Sequence, residues 1–569
     1  MFASIMTMTA MNLNSIIDGI LMGNLLGADA FSAINVVIPI VSCISAIGVL
    51  LSQGPAMRMA THLGAMEKDR ADQVFTVSFG SMFIVGLIIS GLMAITNLPE
   101  SIVNVLCVAK ELYEPSLDYA TVLMIGAALL IFENALSTLV DVMGNPNIVS
   151  VGMLAKMAAN IVFDIVNVKV FGMGIAGAAY ATLLSSLAAD IFFIIYIVKK
   201  SGIKFCACPK WLSDLGNGIL QSIPGFIGSL STVILMFICN YFIMAHQHED
   251  GMFVMSIGYT LISIGSMISN GVGITYSAIG GTLLGQKDYY GMRALFRRGI
   301  FVTILPPVCF NIAGIFSEHI AYAFGARTSE LIELSKRALP MIFVMLFALG
   351  IISSVISLHT VLGHRVVSSV NTLLIIASIV IAFIVSENIF PSDEIWLAFP
   401  IATAMSLLVF FVDTTVISFK SRGQLQLVSL IPKSRSEGKL LDISVECNMN
   451  EKGKAIDSLI TFLRDNGAAA LENSVVHCLD ELMMNTISYS GRGNGAYMDL
   501  SVMIGEDKVT AFLRNNGKPF NPLSVSEKDR KLGLKMVFHF CDNLEYRYSF
   551  GQNLVLASWE RTLETSKET

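Results

Sequence analysis

The sequence predicts an all-α polytopic membrane protein, with twelve transmembrane helices in two six-helix lobes, followed by a C-terminal α/β sandwich. Three observations carry this. Of 569 residues, 54% are apolar and only 14% charged, and the mean hydropathy is +0.68; a soluble chain carries about 25% charged residues. The charge is uneven: 44 of the 80 charged residues fall in the first 432 positions and 36 in the last 137. Apolar runs of about 20 residues, the length that crosses a bilayer, recur through the first part and stop near residue 430.

Those runs place spans near 1–26, 30–56, 74–97, 117–142, 148–170, 174–198, 217–245, 252–282, 298–322, 332–358, 365–387 and 394–418. Lys and Arg set the orientation, because cytosolic segments carry the excess of them. With the first helix starting inside, fifteen fall on cytosolic segments, Lys156 counted among them, and five on outer ones. Twelve spans then place both termini in the cytosol. The connector His62-Leu-Gly-Ala-Met-Glu-Lys-Asp after the second span and Leu284-Gly-Gln-Lys-Asp-Tyr after the eighth share a glycine-then-charge pattern about 221 residues apart. A six-helix unit repeated in one orientation puts the substrate path between two lobes. The expected division is 1–200 and 201–420 for the lobes, 421–436 for a polar linker and 437–569 for the soluble domain.

The net charge of −6, with no basic stripe, excludes a nucleic-acid partner. Nine cysteines are scattered, several in apolar runs, and imply no disulfide framework. Cys206 and Cys208 share a short basic loop without the second Cys or His pair that a zinc site needs. The apolar run at the start lacks the basic lead and small-residue cleavage site of a signal peptide.

Ionisable groups inside a bilayer cost at least about 2 kcal/mol each and face the bundle interior. Asp18 in the first span follows Asn14 by four residues, and Asp164 in the fifth follows Asn160 by four. Each pair therefore shares a helix face. Carboxylate and amide oxygens together suit Na⁺ or a proton; the plainer reading is hydrogen bonding between helices. Asp190 in the sixth span either joins the cation site or sits near the cytosolic half of its helix, the second being the expectation, and Glu133 and Asp413 in the fourth and twelfth spans are similar cases. The numerous Met and Phe residues read as lipid-facing or core filler rather than as a cavity lining.

The run Ser15-Ile-Ile-Asp-Gly-Ile-Leu-Met-Gly-Asn resembles the first-helix motif of the multidrug-and-toxin-extrusion (MATE) transporters. Gly144-Asn-Pro-Asn is similar to the loop after their fourth helix. Asn160-Ile-Val-Phe-Asp, followed by Gly172-Met-Gly-Ile-Ala-Gly-Ala-Ala-Tyr-Ala-Thr, is the most specific match. The resemblance covers about 1–420 and looks most like the DinF-like branch. It implies a multi-pass antiporter of the plasma membrane, driven by H⁺ or Na⁺, that exports cationic or amphipathic small molecules. It also implies that Asp18, Asn160, Asp164 and Thr182 form a cation site in the amino-terminal lobe, whose loading bends the first helix and releases substrate.

Beyond the linker the periodicity changes. Leu440–Cys447 alternates like a strand, and Lys452–Arg464 and Asn473–Tyr489 read as helices, the second capped by Asn473 or Ser474. Tyr497–Ile504 and Lys508–Arg514 read as a hairpin; a helix from Leu534 and two closing strands follow. Glu481 and Asn485, four apart on one helix, resemble the first box of the ATP-binding domain shared by histidine kinases, gyrases and anti-sigma-factor serine kinases. Asn515-Asn-Gly517-Lys-Pro-Phe resembles its adenine box. Lys531-Leu-Gly533-Leu resembles half of its phosphate loop, where backbone N–H groups at a helix start cradle phosphate. The resemblance implies a Bergerat-like fold, ATP, Mg²⁺ held by Asn485, and a regulatory protein partner. Two positions depart from the pattern: Asn515 replaces the adenine-contacting Asp, and Lys531 replaces the first loop glycine. No Walker A sequence occurs, so an ABC-type pump is unsupported, and Gly491-Arg-Gly-Asn-Gly reads as a turn.

Export tuned by the soluble domain is the leading reading. The alternative is a membrane-tethered signalling protein or serine kinase of anti-sigma-factor type, with the helices as sensor. The paired Asn and Asp residues favour transport, and the altered nucleotide boxes weigh against catalysis. Flipping of a lipid-linked substrate is a third option, opposed by the scarcity of Lys and Arg within the spans.

Overall fold

The computed structural model describes residues 2–26, 28–106, 110–324, 326–422, 424–432, 439–489, 496–525 and 532–561; several side chains between 11 and 35, those of Asn14 and Asp18 included, lie outside that description. The chain forms two compact units, Met1–Ile431 and Pro432–Thr569.

The first unit is helical: α1 (Phe2–Leu26), α2 (Ala28–Gly64), α3 (Lys68–Ile95), α4 (Leu98–Leu106), α5 (Lys110–Ile125), α6 (Ala127–Asp141), α7 (Pro146–Asp164), α8 (Gly174–Tyr196), α9 (Trp211–His248), α10 (Asp250–Gly285), α11 (Tyr289–Ala323), α12 (Ser329–Val361), α13 (Arg365–Ile389) and α14 (Glu394–Lys420). Single π-helical stretches, Ile165–Val170 and Ile197–Ser201, prolong α7 and α8. Among the described residues ten helices are long and apolar enough to cross a membrane. They become eleven if Leu112–Ile125 and Ala127–Asp141, bent by 58°, make one span. The expected fourth span, 117–142, is therefore broken. Gly126 stands at the break, and a β-carbon there would strike the Leu183 side chain of α8. The helix α1 is 25 residues long and is not among the ten. Apolar side chains left exposed on α3, such as Phe83, Leu87 and Leu92, are what a lipid-facing surface requires.

The repeat expected from the connectors is present in the backbone. Met66 (φ 63°) and Lys287 (φ 55°) both take the left-handed conformation, which costs a non-glycine residue about 1 kcal/mol. The bonds around them match: Glu67 N–H donates to His62 O at 2.8 Å, and Asp288 N–H to Leu283 O at 2.9 Å. The two turns also meet reciprocally. A β-carbon on Gly64 would land on the Thr282 carbonyl, and one on Gly285 on the Thr61 carbonyl. Only glycine lets the ends of α2 and α10 approach so closely. Two further turns pair in the same way, at Gly144 (φ 98°) and Gly363 (φ 86°).

Residues 421–436, expected as a linker, divide between the two units. From Gln424 to Ile431 the chain lies against the membrane unit as a strap. His359 Nε2 donates to the Val428 carbonyl at 2.7 Å, and Ser418 Oγ to the Leu425 carbonyl at 2.9 Å. Leu430 and Ile431 are fully buried, Ile431 in a cluster with Met57, Tyr276, Met292, Leu358 and Val361.

The second unit is a two-layer sandwich. Its sheet has the order β1-β2-β3-β5-β4, every pair antiparallel, with β1 (Lys439–Glu446), β2 (Tyr497–Ile504), β3 (Lys508–Asn515), β4 (Asn543–Ser549) and β5 (Gln552–Glu560). The helices α15 (Met449–Asp465), α16 (Glu472–Tyr489) and α17 (Leu532–Phe540) supply the other layer. Leu459, Leu463, Leu479 and Met483 from the helices meet Met498, Leu500, Val502 and Leu513 from the strands in one core. Asn448 caps α15, its side chain accepting from Glu451 N–H at 2.9 Å. Asn473 and Ser474, expected as caps, sit inside α16, because a 3₁₀ turn at Ala469–Leu471 starts the helix at Glu472. The run 491–495 and Lys531 lie outside the described residues.

Candidate functional site

A cavity of about 430 Å³ lies between the two helical halves of the membrane unit. Residues of α1, α2, α6 and α7 line one wall and residues of α9, α10, α12 and α13 the other. Its size falls in the range of small-molecule pockets. Hydroxyl and amide groups recur around it, among them Gln53, Asn134, Ser229, Asn270 and Ser357. Asp141 is the one ionisable residue among the described lining residues. It is 4% exposed, and its Oδ2 has no hydrogen-bond partner among the described residues. Sequence reasoning missed Asp141, because it stands at the last turn of a span and reads as a loop residue. Its place three residues before Gly144 was the available signal.

Three of the four expected cation residues lie on two adjacent helices, α7 and α8. Asn160 and Asp164 occupy successive turns of α7 and are 1% and 0% exposed. The Asn160 Nδ2 has no partner among the described residues. Thr182 lies on α8, half-buried, with Oγ1 donating to the Ala178 carbonyl at 3.2 Å. The Asp18 side chain lies outside the described residues, and its helix is placed by a neighbour: Thr7 Oγ1 and Ser150 Oγ are 2.9 Å apart, joining α1 to α7.

The three further acids behave differently from one another. Asp413 accepts from Asn371 Nδ2 at 2.7 Å, as plain packing requires. Glu133, on α6, accepts from Lys156 Nζ and from Ser186 Oγ, both at 2.6 Å. Lys156, counted from sequence with the cytosolic segments, is thus an interior residue of α7 with its side chain 14% exposed. Asp190, on α8, is 3% exposed, and neither carboxylate oxygen has a hydrogen-bond partner.

In the soluble unit the first-box residues are adjacent: Asn485 Nδ2 donates to Glu481 Oε1 at 3.3 Å. The Glu481 carboxylate fills the space that a β-carbon on Gly533 would take, at the start of α17. Asn515 is engaged on both sides. Its Nδ2 donates to Thr486 Oγ1 at 3.3 Å, and its Oδ1 accepts from Asn553 Nδ2 at 2.9 Å and from Gly517 N–H at 3.1 Å. Asn553 was missed by the sequence reading. It fixes the loop after β3 through the Gly517 and Lys518 carbonyls and receives the Tyr546 hydroxyl at 2.7 Å. The pocket lined by Asn485, Asn515, Lys518 and Phe520 holds about 30 Å³, the space of one water. Among the described residues, then, the Asn515 oxygen already accepts two hydrogen bonds, and the Glu481 carboxylate stands against Gly533 of the expected phosphate loop.

The sequence pattern of the MatE family matches residues 3–166 and 224–386. The multidrug export protein MepA of Staphylococcus haemolyticus is 30% identical over 196 residues, covering 33% of this chain and 42% of that protein. MepA of Staphylococcus aureus strain N315 is 29% identical over 270 residues, covering 45% and 58%. The chain thus spans about half the length of the curated relatives it matches. In fold, a MOP superfamily transporter from Pyrococcus furiosus superposes with a TM-score of 0.64 at 21% identity, over 73% of this chain and 94% of that one. A multidrug resistance MATE transporter in its outward-facing conformation gives 0.65 at 23%, over 74% and 95%. With the family pattern matched over more than half of its length, on both halves of the repeat, this multi-pass membrane chain belongs to the MATE family of transporters.

Proposed function

We propose that the chain is a secondary antiporter of the plasma membrane that exports organic cations or other amphipathic compounds against H⁺ or Na⁺, with α1 as the twelfth span. Asp141 carries this reading. One buried carboxylate in a cavity rich in hydroxyls and without a cation attracts a positively charged guest, and in a dry site a single opposite charge is worth far more than in water. The coupling ion would sit at Asp18, Asn160, Asp164 and Thr182, whose oxygens suit Na⁺ and whose carboxylates suit H⁺. The drug export named for the MepA relatives agrees with this assignment.

The soluble unit acts in this reading as a nucleotide-binding-like regulatory module on the cytosolic side, taking a protein partner rather than turning over ATP. The filled phosphate position and the saturated Asn515 support that choice over a serine kinase.

The test is efflux of a cationic dye from vesicles under imposed pH and Na⁺ gradients. The gradient that drives efflux names the ion. Asp141→Asn is expected to weaken handling of a monovalent cation about tenfold or more while sparing a neutral substrate, tenfold being about 1.4 kcal/mol. Equal loss for both substrates would remove Asp141 from recognition, and no efflux under either gradient would remove the antiporter.

A further inference from the structure

The amino-terminal half holds a charged group that the coupling site does not use. Glu133, Lys156 and Asp190 come from α6, α7 and α8, three helices packed against one another. All three are buried or nearly so. Lys156 and Ser186 both donate to a single oxygen, Oε2 of Glu133. Asp190 interacts electrostatically with both Glu133 and Lys156, yet among the described residues neither of its oxygens accepts a hydrogen bond. Two carboxylates and one ammonium leave one negative charge unmatched. An uncompensated buried charge costs several kcal/mol, and one proton on the unpartnered carboxyl abolishes it.

The group also lies in register with the coupling residues. Lys156, Asn160 and Asp164 are four apart on α7; Asp190, Ser186 and Thr182 are four apart on α8. Each set is a stripe on one helix face. The helices run antiparallel, as two contacts show: a β-carbon on Gly152 would strike the Phe193 ring, and Asn167 Nδ2 donates to the Gly177 carbonyl at 3.2 Å. That alignment sets Lys156 level with Asp190, Asn160 with Ser186, and Asp164 with Thr182. Lys156 lies ten residues in from Pro146, and Asp190 eleven from Ser201. Both are therefore about 15 Å from the end of the bundle that carries the 142–145 and 202–210 loops. Asp164 stands two helical turns further in.

We propose that Asp190, with the Glu133–Lys156 pair and Ser186, is a second protonation site, loaded from that end of the bundle and connected to Asp164 along the α7/α8 seam. A proton from water forms the O–H bond on the Asp190 carboxylate, which makes the group neutral. The same O–H bond breaks when the proton passes to Asp164, with Ser186 and Asn160 as the polar rung between. Lys156 stabilises the emptied state by standing between the two carboxylates. No other charge facing Asp190 is described. The acids Glu114 and Asp118 of α5 are exposed, as are Lys169, Lys199 and Lys200; on α1 the one titratable residue is Asp18. The use of this site in transport rests on the antiporter reading; the site itself does not.

The experiment is an acid–base infrared difference spectrum of the purified full chain, with dye efflux measured on the same variants. Wild type is expected to show the C=O stretch of protonated carboxyls. Asp190→Asn should lose one component of it and take up one proton fewer per chain, while Asp164→Asn keeps that component. Lys156→Gln, which preserves length and removes the ammonium, should shift the same component to higher pH. Asp190→Glu should restore it, which separates proton binding from a packing role. An Asp190→Asn spectrum identical to wild type at every pH would overturn the proposal. So would a Lys156→Gln spectrum unshifted in a chain that still folds. If the component is present but wild type transports nothing under any gradient, the protonation site stands and the antiporter reading falls.

Discussion

The two halves of the membrane unit share a backbone plan and differ in charge. The turns at Met66 and Lys287 have the same dihedral signs and matching hydrogen bonds, and each half sets a glycine on the other's threonine carbonyl. The first half nevertheless buries Asp72, Glu133, Asp141, Asp164 and Asp190, whereas among the described residues Asp288 and His359 are the acidic and basic residues that the second buries. Asp288 is spent on a helix cap, accepting from Gly291 N–H at 2.7 Å. In place of charge the second half stacks rings: Phe242 lies on Phe383 with centroids 5.0 Å apart, and Trp396 packs with Phe399. The two halves thus share a scaffold, and most of the buried acids among the described residues lie in the first. The cavity, by contrast, is lined by both halves.

The sharpest way to break that comparison is to neutralise one acid in each half. Asp164→Asn is expected to lower gradient-driven dye efflux by about tenfold or more, since a buried group that binds the ion only when charged has no partial substitute. Asp413→Asn, which exchanges one hydrogen-bond partner of Asn371 for another, should keep efflux within about twofold, because a single hydrogen bond contributes about 1 kcal/mol or less net. Comparable losses in both variants would place ion coupling in the second half as well.

The shared scaffold has its own test. Gly64→Ala and Gly285→Ala each drive a methyl group into a carbonyl of the opposite half. Each is expected to destabilise by about 1–3 kcal/mol, the usual range for overpacking a close contact, read as a fall in thermal midpoint in detergent. Gly91→Ala, where a β-carbon would meet nothing, is the control and should leave the midpoint in place. A fall in only one of the two seam variants would show that the reciprocal contact is not equally shared.

Helices, repeat and soluble sandwich were legible because each rests on a local signal: apolar length, the glycine-then-charge connector, and the switch of period after residue 439. The soluble strands fell within a residue or so of their places for that reason. The relations between elements were not legible. Lys156 reads as a loop residue until α6 and α8 bring Glu133 and Ser186 to it. Asp190 reads as packing until the donors near it, Lys156 and Ser186, prove to be turned to Glu133. Asp141 has no periodicity to announce it, and only the closing of two halves makes it a cavity residue. The strap at 424–431 reads as part of a linker because its flanks at 421–423 and 433–436 are polar, although five of its own eight residues are apolar and Leu430 and Ile431 are fully buried. Glu481 and Gly533 were both named, yet nothing in their spacing shows that one fills the place facing the other.

That last contact gives a smaller prediction. If the Glu481 carboxylate excludes phosphate from the start of α17, Glu481→Ala should raise the affinity of the full chain for ATP by a few-fold, by removing a like charge from a helix N-terminus that favours anions. Equilibrium binding of a labelled ATP analogue measures it. A wild-type chain that already binds ATP tightly, and loses it on this substitution, would restore the enzyme-like role of Glu481 and contradict the regulatory assignment.

The smallest effect is expected at the strap, and it depends on pH. His364 sits in the turn between α12 and α13. Burial holds its imidazole below the usual histidine value, and the Leu430 carbonyl, by accepting from the ring, works in the opposite direction. A strap released from the membrane unit would expose the ring and let it take a proton at the ordinary value, about 6.5. The docked state binds fewer protons than the released one, so docking is fully favoured above that pH and weakens as the pH falls below it. Amide hydrogen exchange across residues 424–431, corrected for the intrinsic pH dependence, should show lower protection at about pH 5.5 than at about pH 7.5. His364→Gln should flatten that difference and leave protection at the higher pH nearly unchanged. Protection that rises on acidification, or a pH response intact in the variant, would take His364 out of the attachment and leave the bond from His359 to Val428, with the burial of Leu430 and Ile431, as what holds the strap in place.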